Sequence, residues 1–244
     1  MSLPKIETPT YELTLPSANV QVKYRPFLVK EEKVLLSALE SNDDKQVVEA
    51  IKQIVNACTY GTLDGGKIPT FDLEYVFLNI RAKSVGEIAK VRLLCPDDKS
   101  TYAETEIDLT KVEVQVNDDH TNKIVIDEKR NLGIIMKYPT IDSVDPKINV
   151  GKNTEKIFEM LASCVHEIFD GEKVFSASDY SKEDMHEFLE NLDKKSFEKV
   201  NRFFDTMPSL EHEIELENPK TKVKSKVVMK GAQDFFVLPS LTTA

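Results

Sequence analysis

Residues 88–116, IAKVRLLCPDDKSTYAETEIDLTKVEVQV, decide the fold class. Upstream of them the apolar residues recur with a helical period; here the period drops to two. Val91 and Leu93 lead into the turn Cys95-Pro96-Asp97-Asp98-Lys99, and Tyr102 to Ile107 and Leu109 return from it. Val112, Val114 and Val116 alternate strictly with polar residues, as do Ile124 and Ile126 beyond Asn117-Asp118-Asp119. Such alternation, broken by Pro and Asp turns, spells half-buried antiparallel strands. Ile134, Ile135 and Met136 read as a more buried strand, and Pro139 and Pro146 punctuate the exit.

Toward the N-terminus, MSLPKIETP (1–9) holds two prolines and no periodic face, which reads as an extended arm. Tyr11, Leu13 and Leu15, then Val20, Val22 and Tyr24, flank the turn tetrad Pro16-Ser17-Ala18-Asn19, so a hairpin is expected. Arg25-Pro26 ends it, because the residue before proline is pushed out of the helical region. Val34, Leu35, Ala38 and Leu39 make a short helical stripe, and Ser41-Asn42-Asp43-Asp44 can cap the next helix. Val47, Val48, Ile51, Ile54, Val55 and Cys58 line one face of that helix. GTLDGG (61–66) reads as a connector, since it lacks the Lys and Ser/Thr of a phosphate-gripping loop. Pro69-Thr70 opens a further helix with Leu73, Val76, Phe77 and Ile80 facing inward.

Toward the C-terminus, Ile157, Met160, Leu161, Cys164, Val165 and Ile168 predict one buried helix closed by Asp170-Gly171. Ser181 and Asp184 resemble a capping pair before Met185, Phe188, Leu189 and Leu192. Phe197, Val200, Phe203, Phe204 and Met207 predict another helix, stopped by Pro208. A strand over Glu213 to Leu216, the turn Glu217-Asn218-Pro219-Lys220 and a strand over Val223 to Met229 form a closing hairpin. A last apolar turn spans Gln233 to Phe236. The expected fold is therefore α+β. An N-terminal arm, hairpin and helices fill 1–87, an antiparallel β region fills 88–150, and a C-terminal helical bundle with a terminal β-hairpin fills 151–244. These form one compact unit or two closely packed domains. RLLCPDDKSTYAETEIDL (from Arg92) and EIELENPKTKVKSKVVMK (from Glu213) echo each other as strand, Pro-containing turn and returning strand. Partial duplication and the recurrence of a common hairpin both account for that.

The chain has 244 residues, 41% apolar and 30% charged, with 32 Lys plus Arg against 42 Asp plus Glu, a net charge of −10. That balance fits a globular chain and argues against non-specific nucleic-acid binding, which needs clustered cations. No apolar run approaches the roughly 18 residues of a membrane span, and nothing resembles a signal peptide. Three widely spaced cysteines fit a reducing compartment.

Reactive constellations are sparse. Cys95 has Asp97 where a zinc knuckle needs a second ligand, the C-terminal turn has no cysteine, and His212 stands alone, so no metal or other cofactor is expected. Cys58 and Cys164 fall on apolar stripes as core residues. There is no G-x-S-x-G elbow and no Walker loop. Asp118, Asp119 and His120 are the one local set that could serve a hydrolase, and their turn setting explains the aspartates without catalysis. The chain is therefore expected not to be an enzyme. Contact with partners is better motivated. Arg25 and Phe27 at the hairpin exit, and Phe235, Phe236 and Leu238 beyond the last hairpin, either close the core or anchor a neighbouring chain.

Three stretches carry a resemblance. They are YELTLPSANVQVKYRPFLVKEEK (Tyr11 to Lys33), IPTFDLEYVFLNIRAKSVG (Ile68 to Gly86) and MPSLEHEIELENPKTKVKSKVVMKGAQDFF (Met207 to Phe236). Together they resemble the baseplate hub subunit and assembly protein family of T-even-type contractile-tailed bacteriophages. The resemblance implies a non-enzymatic component that helps build the hub at the tip of the tail. It acts either as a retained virion part or as a transient assembly chaperone. Partners would be other hub or tail proteins, the tape-measure protein among them, met in the host cytoplasm on the way to the virion baseplate. Relatives with cysteine pairs at the hairpin turns suggest a metal, but here only Cys95 fits. A −10 charge suits subunits that must stay soluble until they meet.

Overall fold

Alternation and helical stripes translate into six helices and eleven strands among the described residues, 6–41, 43–143 and 154–231 of a computed structural model. In chain order these are β1 (Tyr11–Thr14), β2 (Gln21–Tyr24), α1 (Val29–Glu40), α2 (Asp44–Cys58), α3 (Thr70–Val85), β3 (Ile88–Leu94), β4 (Tyr102–Asp108), β5 (Glu113–Gln115), β6 (Lys123–Asp127) and β7 (Leu132–Met136). There follow α4 (Thr154–Ser163), β8 (Val165–Asp170), β9 (Lys173–Ser176), α5 (Lys182–Glu190), α6 (Lys194–Thr206), β10 (Ser209–Glu217) and β11 (Lys224–Lys230). Every strand pair is antiparallel. The chain divides into two compact units, residues 1–115 with 209–244, and residues 116–208.

In the first unit the β1–β2 ribbon turns Leu13, Leu15, Val22 and Tyr24 inward, as period-two spacing requires. Asn19 supplies the left-handed residue of its turn, at φ 53°. Both the Ser17 N–H, at 3.1 Å, and its hydroxyl donate to the fully buried carboxylate of Asp72 on α3. Asp43 caps α2 by accepting from the Lys45 N–H at 3.0 Å. The stripe Ile51, Ile54, Val55 and Cys58 is buried along α2. Helix α3 is buried on nearly every side. It carries Phe71, Leu73, Val76, Phe77, Leu78 and Ile80, and also Arg81, of which 4% is exposed and whose Nη1 finds no hydrogen-bond partner among the described residues.

Two sheets complete this unit, the β3–β4 ribbon and the three-stranded sheet in the order β11-β10-β5. Ala89, Val91, Ile107, Leu210, Ile214 and Met229 meet Leu78 and Ala82 of α3 in one core. The two hairpins that echo each other in sequence face each other here, with Cys95, Ala103 and Leu216 buried between them. Their turns match in detail. Lys99 N–H donates to the Cys95 carbonyl and Lys222 N–H to the Asn218 carbonyl, at 3.0 and 2.9 Å, and both lysines sit at positive φ. Asp97 ties the turns together, accepting from Asn218 Nδ2 at 2.9 Å and from the Thr221 hydroxyl. These bonds hold the Asp97 carboxyl below the usual range. Strand β5 pairs with β10 through Ser209↔Gln115 and Leu210↔Val114, about 95 positions apart in the chain.

In the second unit the strands follow one another in the order β6-β7-β8-β9. The core joins Ile124, Ile134 and Met136 of the sheet to Leu161, Met185, Leu189, Val200 and Phe203 of α4, α5 and α6. Ser181 and Asp184 form the expected capping box on α5, and Asp193 caps α6 by accepting from the Ser196 N–H at 2.7 Å.

This arrangement corrects the expected fold class, because the C-terminal third is not a helical bundle. The stripe from Ile157 to Ile168 is two elements: α4 ends at Ser163, and Val165–Asp170 is a strand paired with β7 on one side and β9 on the other. A short apolar run fits either period, and the β-branched and aromatic residues Val165, Ile168 and Phe169 favour the pleated surface. Asp170-Gly171 is accordingly a hairpin turn, with Gly171 at φ 63°, fastened by Arg130 Nε to Asp170 Oδ1 at 2.8 Å.

Candidate functional site

Arg25 stands where β2 ends, and its guanidinium is spent inside the first unit. Nη2 donates to Glu31 Oε1 at 3.0 Å and to the Ala57 carbonyl at 3.3 Å, while Nη1 donates to the Pro26 carbonyl at 2.9 Å. One side chain thus joins the end of β2, the start of α1 and the end of α2. Glu31 in turn accepts from the Leu28 N–H at 2.8 Å, closing the first turn of α1. Burial alone would raise the Glu31 carboxyl. The Arg25 bond and charge, with the Leu28 N–H, outweigh it and hold the group below its usual range. Phe27 is buried, and its N–H donates to Ser84 Oγ at 2.9 Å. Phe235, Phe236, Leu238 and the apolar turn from Gln233 lie outside the described residues, as do residues 1–5 of the arm.

Of the residues that could form a hydrolytic set, His120 and Asp119 bond to side chains outside it. His120 bridges two hydroxyls: Nδ1 lies 3.0 Å from Thr206 Oγ1 and Nε2 3.0 Å from Tyr138 Oη. A neutral ring serves both bonds, donating from one nitrogen and accepting at the other. Burial lowers its pKa, in keeping with that form. The ring packs against Tyr138 and Phe203 with centres 5.6 and 5.2 Å apart. Asp119 points to Arg202 instead, at 3.3 Å. Among the described residues no three His, Cys, Asp or Glu side chains come together as a cation site. At the hairpin turns Asp97 accepts from Asn218 and Thr221. Cys58 and Cys164 are core thiols that burial pushes up to about 11.

The second unit carries a cleft of about 340 Å³ between β6 and α6. Its apolar side is Ile124, Val125 and Phe203, and its polar side includes Asp119, Lys199 and Arg202. Strand β6 is the outer strand of its sheet. Lys199 and Arg202 are three apart on α6, so one helical face presents both beside the strand. Sequence reading missed this cleft because its two walls are about 75 residues apart. The only local signal was a pair of cations at helical spacing within an acidic chain.

Residues 8–237 match the family model described as T4 bacteriophage base plate protein. No curated protein and no solved structure gives a match. The chain therefore belongs to the family of T4 bacteriophage base plate proteins.

Proposed function

We propose that this chain is a structural or assembly component of the baseplate hub and works by protein–protein contact, without catalysing a reaction. Membership of the baseplate family over residues 8–237 carries the reading. The hub assignment within the baseplate rests on the stretches 11–33, 68–86 and 207–236, which resemble hub subunits and hub assembly proteins. Its neighbours are other hub or tail proteins, with the tape-measure protein as a candidate, met in the host cytoplasm before incorporation into the virion tail. Phe235, Phe236 and Leu238 are the proposed anchors, since clustered aromatics dominate contact energy where they are buried by a partner. Arg25 and Phe27 complete the proposed contact set, with Arg25 bonded to Glu31 and Phe27 buried within the first unit.

Co-purification with hub proteins tests this. Deleting residues 231–244 is expected to weaken recovery of partners while leaving the far-ultraviolet circular dichroism of the chain intact; undiminished recovery removes the anchor assignment. Mass spectrometry of purified virions is expected to find the chain in fixed ratio to the baseplate proteins. Its absence there would make it a transient chaperone.

A further inference from the structure

We propose that His120 is an acid-sensitive latch that ties the first and last turns of residues 116–208 together at neutral pH and releases them in mild acid. The inference goes beyond the contact role above and does not depend on it. Its starting point is the pair of hydroxyls around the ring. Thr206 Oγ1 donates its one proton to the Arg202 carbonyl at 2.7 Å, so toward His120 it can only accept. Nδ1, 3.0 Å from that oxygen, therefore carries the imidazole proton. Nε2 is then a bare lone pair, and the Tyr138 hydroxyl, 3.0 Å away, donates to it. The tautomer is fixed from both sides, and the fit holds only for the neutral ring.

Its partners give the latch its place. His120 closes the turn after β5, its N–H donating to the Asn117 carbonyl at 2.9 Å. Thr206 is the last residue of α6, and Tyr138 lies just beyond β7. The Tyr138 and Phe203 rings, 5.6 Å apart between centres, both lie against the imidazole. A second proton would set Nε2–H against the Tyr138 O–H, which must turn away, and would place a charge where burial already disfavours it. The charged groups along these segments are Asp118 and Asp119 on its own turn, Arg202 and Asp205 on α6, and Lys137 beside Tyr138. Asp119 is turned to Arg202 at 3.3 Å, and burial is the one cause that moves the ring's pKa. That value lies below the ordinary 6.5, so the tie is complete above pH 6.5 and weakens as pH falls from there toward the folded value. Within that window each pH unit makes opening about tenfold more frequent. An amide side chain could give and accept the same bonds at any pH; imidazole adds the release.

The test uses the full chain labelled with nitrogen-15. At about pH 7.5 the His120 ring nitrogens are expected to show a proton on Nδ1 and none on Nε2, and titration is expected to give a midpoint below 6.5. Tyr138→Phe removes the donor that favours the neutral ring and should raise that midpoint. Thr206→Val removes an acceptor that serves the charged ring more strongly and should lower it. Hydrogen exchange reads the release. The Met136 and Lys137 amides donate to the Asn122 and Cys164 carbonyls at 2.8 and 2.7 Å. Their protection, and that of the last turn of α6, should fall between pH 6.5 and about 5 in the parent and stay level in His120→Asn. A proton on Nε2, a midpoint at or above 6.5, or an equal loss of protection in His120→Asn would each overturn the proposal. Should His120→Asn fail to fold, the other two variants still decide: midpoints that move the same way, or not at all, would overturn it as well.

Discussion

Replacing Arg81 by Met is expected to make the protein more stable. The guanidinium lies on α3 with 4% of the residue exposed, and among the described residues Nη1 has no hydrogen-bond partner. Burial pulls its pKa well down, to about 10. A change of that size corresponds to roughly 3 kcal/mol of penalty on the charged form. An unsatisfied buried donor costs about 1–3 kcal/mol, which describes the same penalty from another side rather than adding to it. Methionine keeps an unbranched stem in the same space and leaves the donor out. The net gain should be about 1–3 kcal/mol at pH 7, visible as a higher urea midpoint and, at about 2–4 °C per kcal/mol for a chain of this size, a higher Tm. The sign with pH follows. Below about 10 the group is charged in both folded and unfolded chains and the full penalty applies. Raising the pH from 7 toward 10 should therefore leave the advantage of the variant unchanged. A variant less stable than the parent by 1 kcal/mol or more would refute the reasoning, because the guanidinium would then be satisfying a need of the fold.

Two further changes probe the two units separately. Glu31→Gln removes the charge that balances Arg25 and should cost about 1–3 kcal/mol at pH 7 by urea unfolding. Because the folded Glu31 carboxyl lies below its usual value, the parent's advantage is complete above about pH 4.5 and fades as pH falls through the lowered folded value. Gly133→Ala puts a methyl group into the Ile124 carbonyl and the Phe169 ring. Overpacking on that scale should cost about 2 kcal/mol or more and broaden the NMR signals of 116–208 ahead of the rest; an unperturbed spectrum would mean that the sheet can give way there.

Local pattern carried much of the fold. The β1–β2 hairpin, the α2 stripe, the alternation from residue 88 and the Ser181/Asp184 cap all rest on spacing and turn chemistry within a dozen residues, where sequence speaks directly. Cys164-Val165-His166-Glu167-Ile168 was ambiguous for the same reason: a run so short satisfies a helix face and a strand face alike. Its partners Leu132–Met136 decide the matter from about 30 positions away. The pairing of Val114 with Leu210 and the cleft between Val125 and Lys199 are long-range facts of packing, with no trace in either segment alone. Arg25 shows the converse case. A cation at the exit of a hairpin looks available for a neighbour, and only the geometry reveals the backbone and side-chain acceptors it bonds to within the first unit.

The register Gln115↔Ser209 has an architectural consequence. Residues 116–208 leave and rejoin the first unit at two positions that lie side by side on adjacent strands, about 5 Å apart between Cα atoms. A graft of different length or content between those points alters little in the host, because the loop-closure term changes only with the logarithm of its size. A tight turn joining Gln115 to Ser209 would leave an ordinary β5–β10 hairpin. The seam is thus a natural splice point, at which the receiving sheet can keep its β5–β10 pairing.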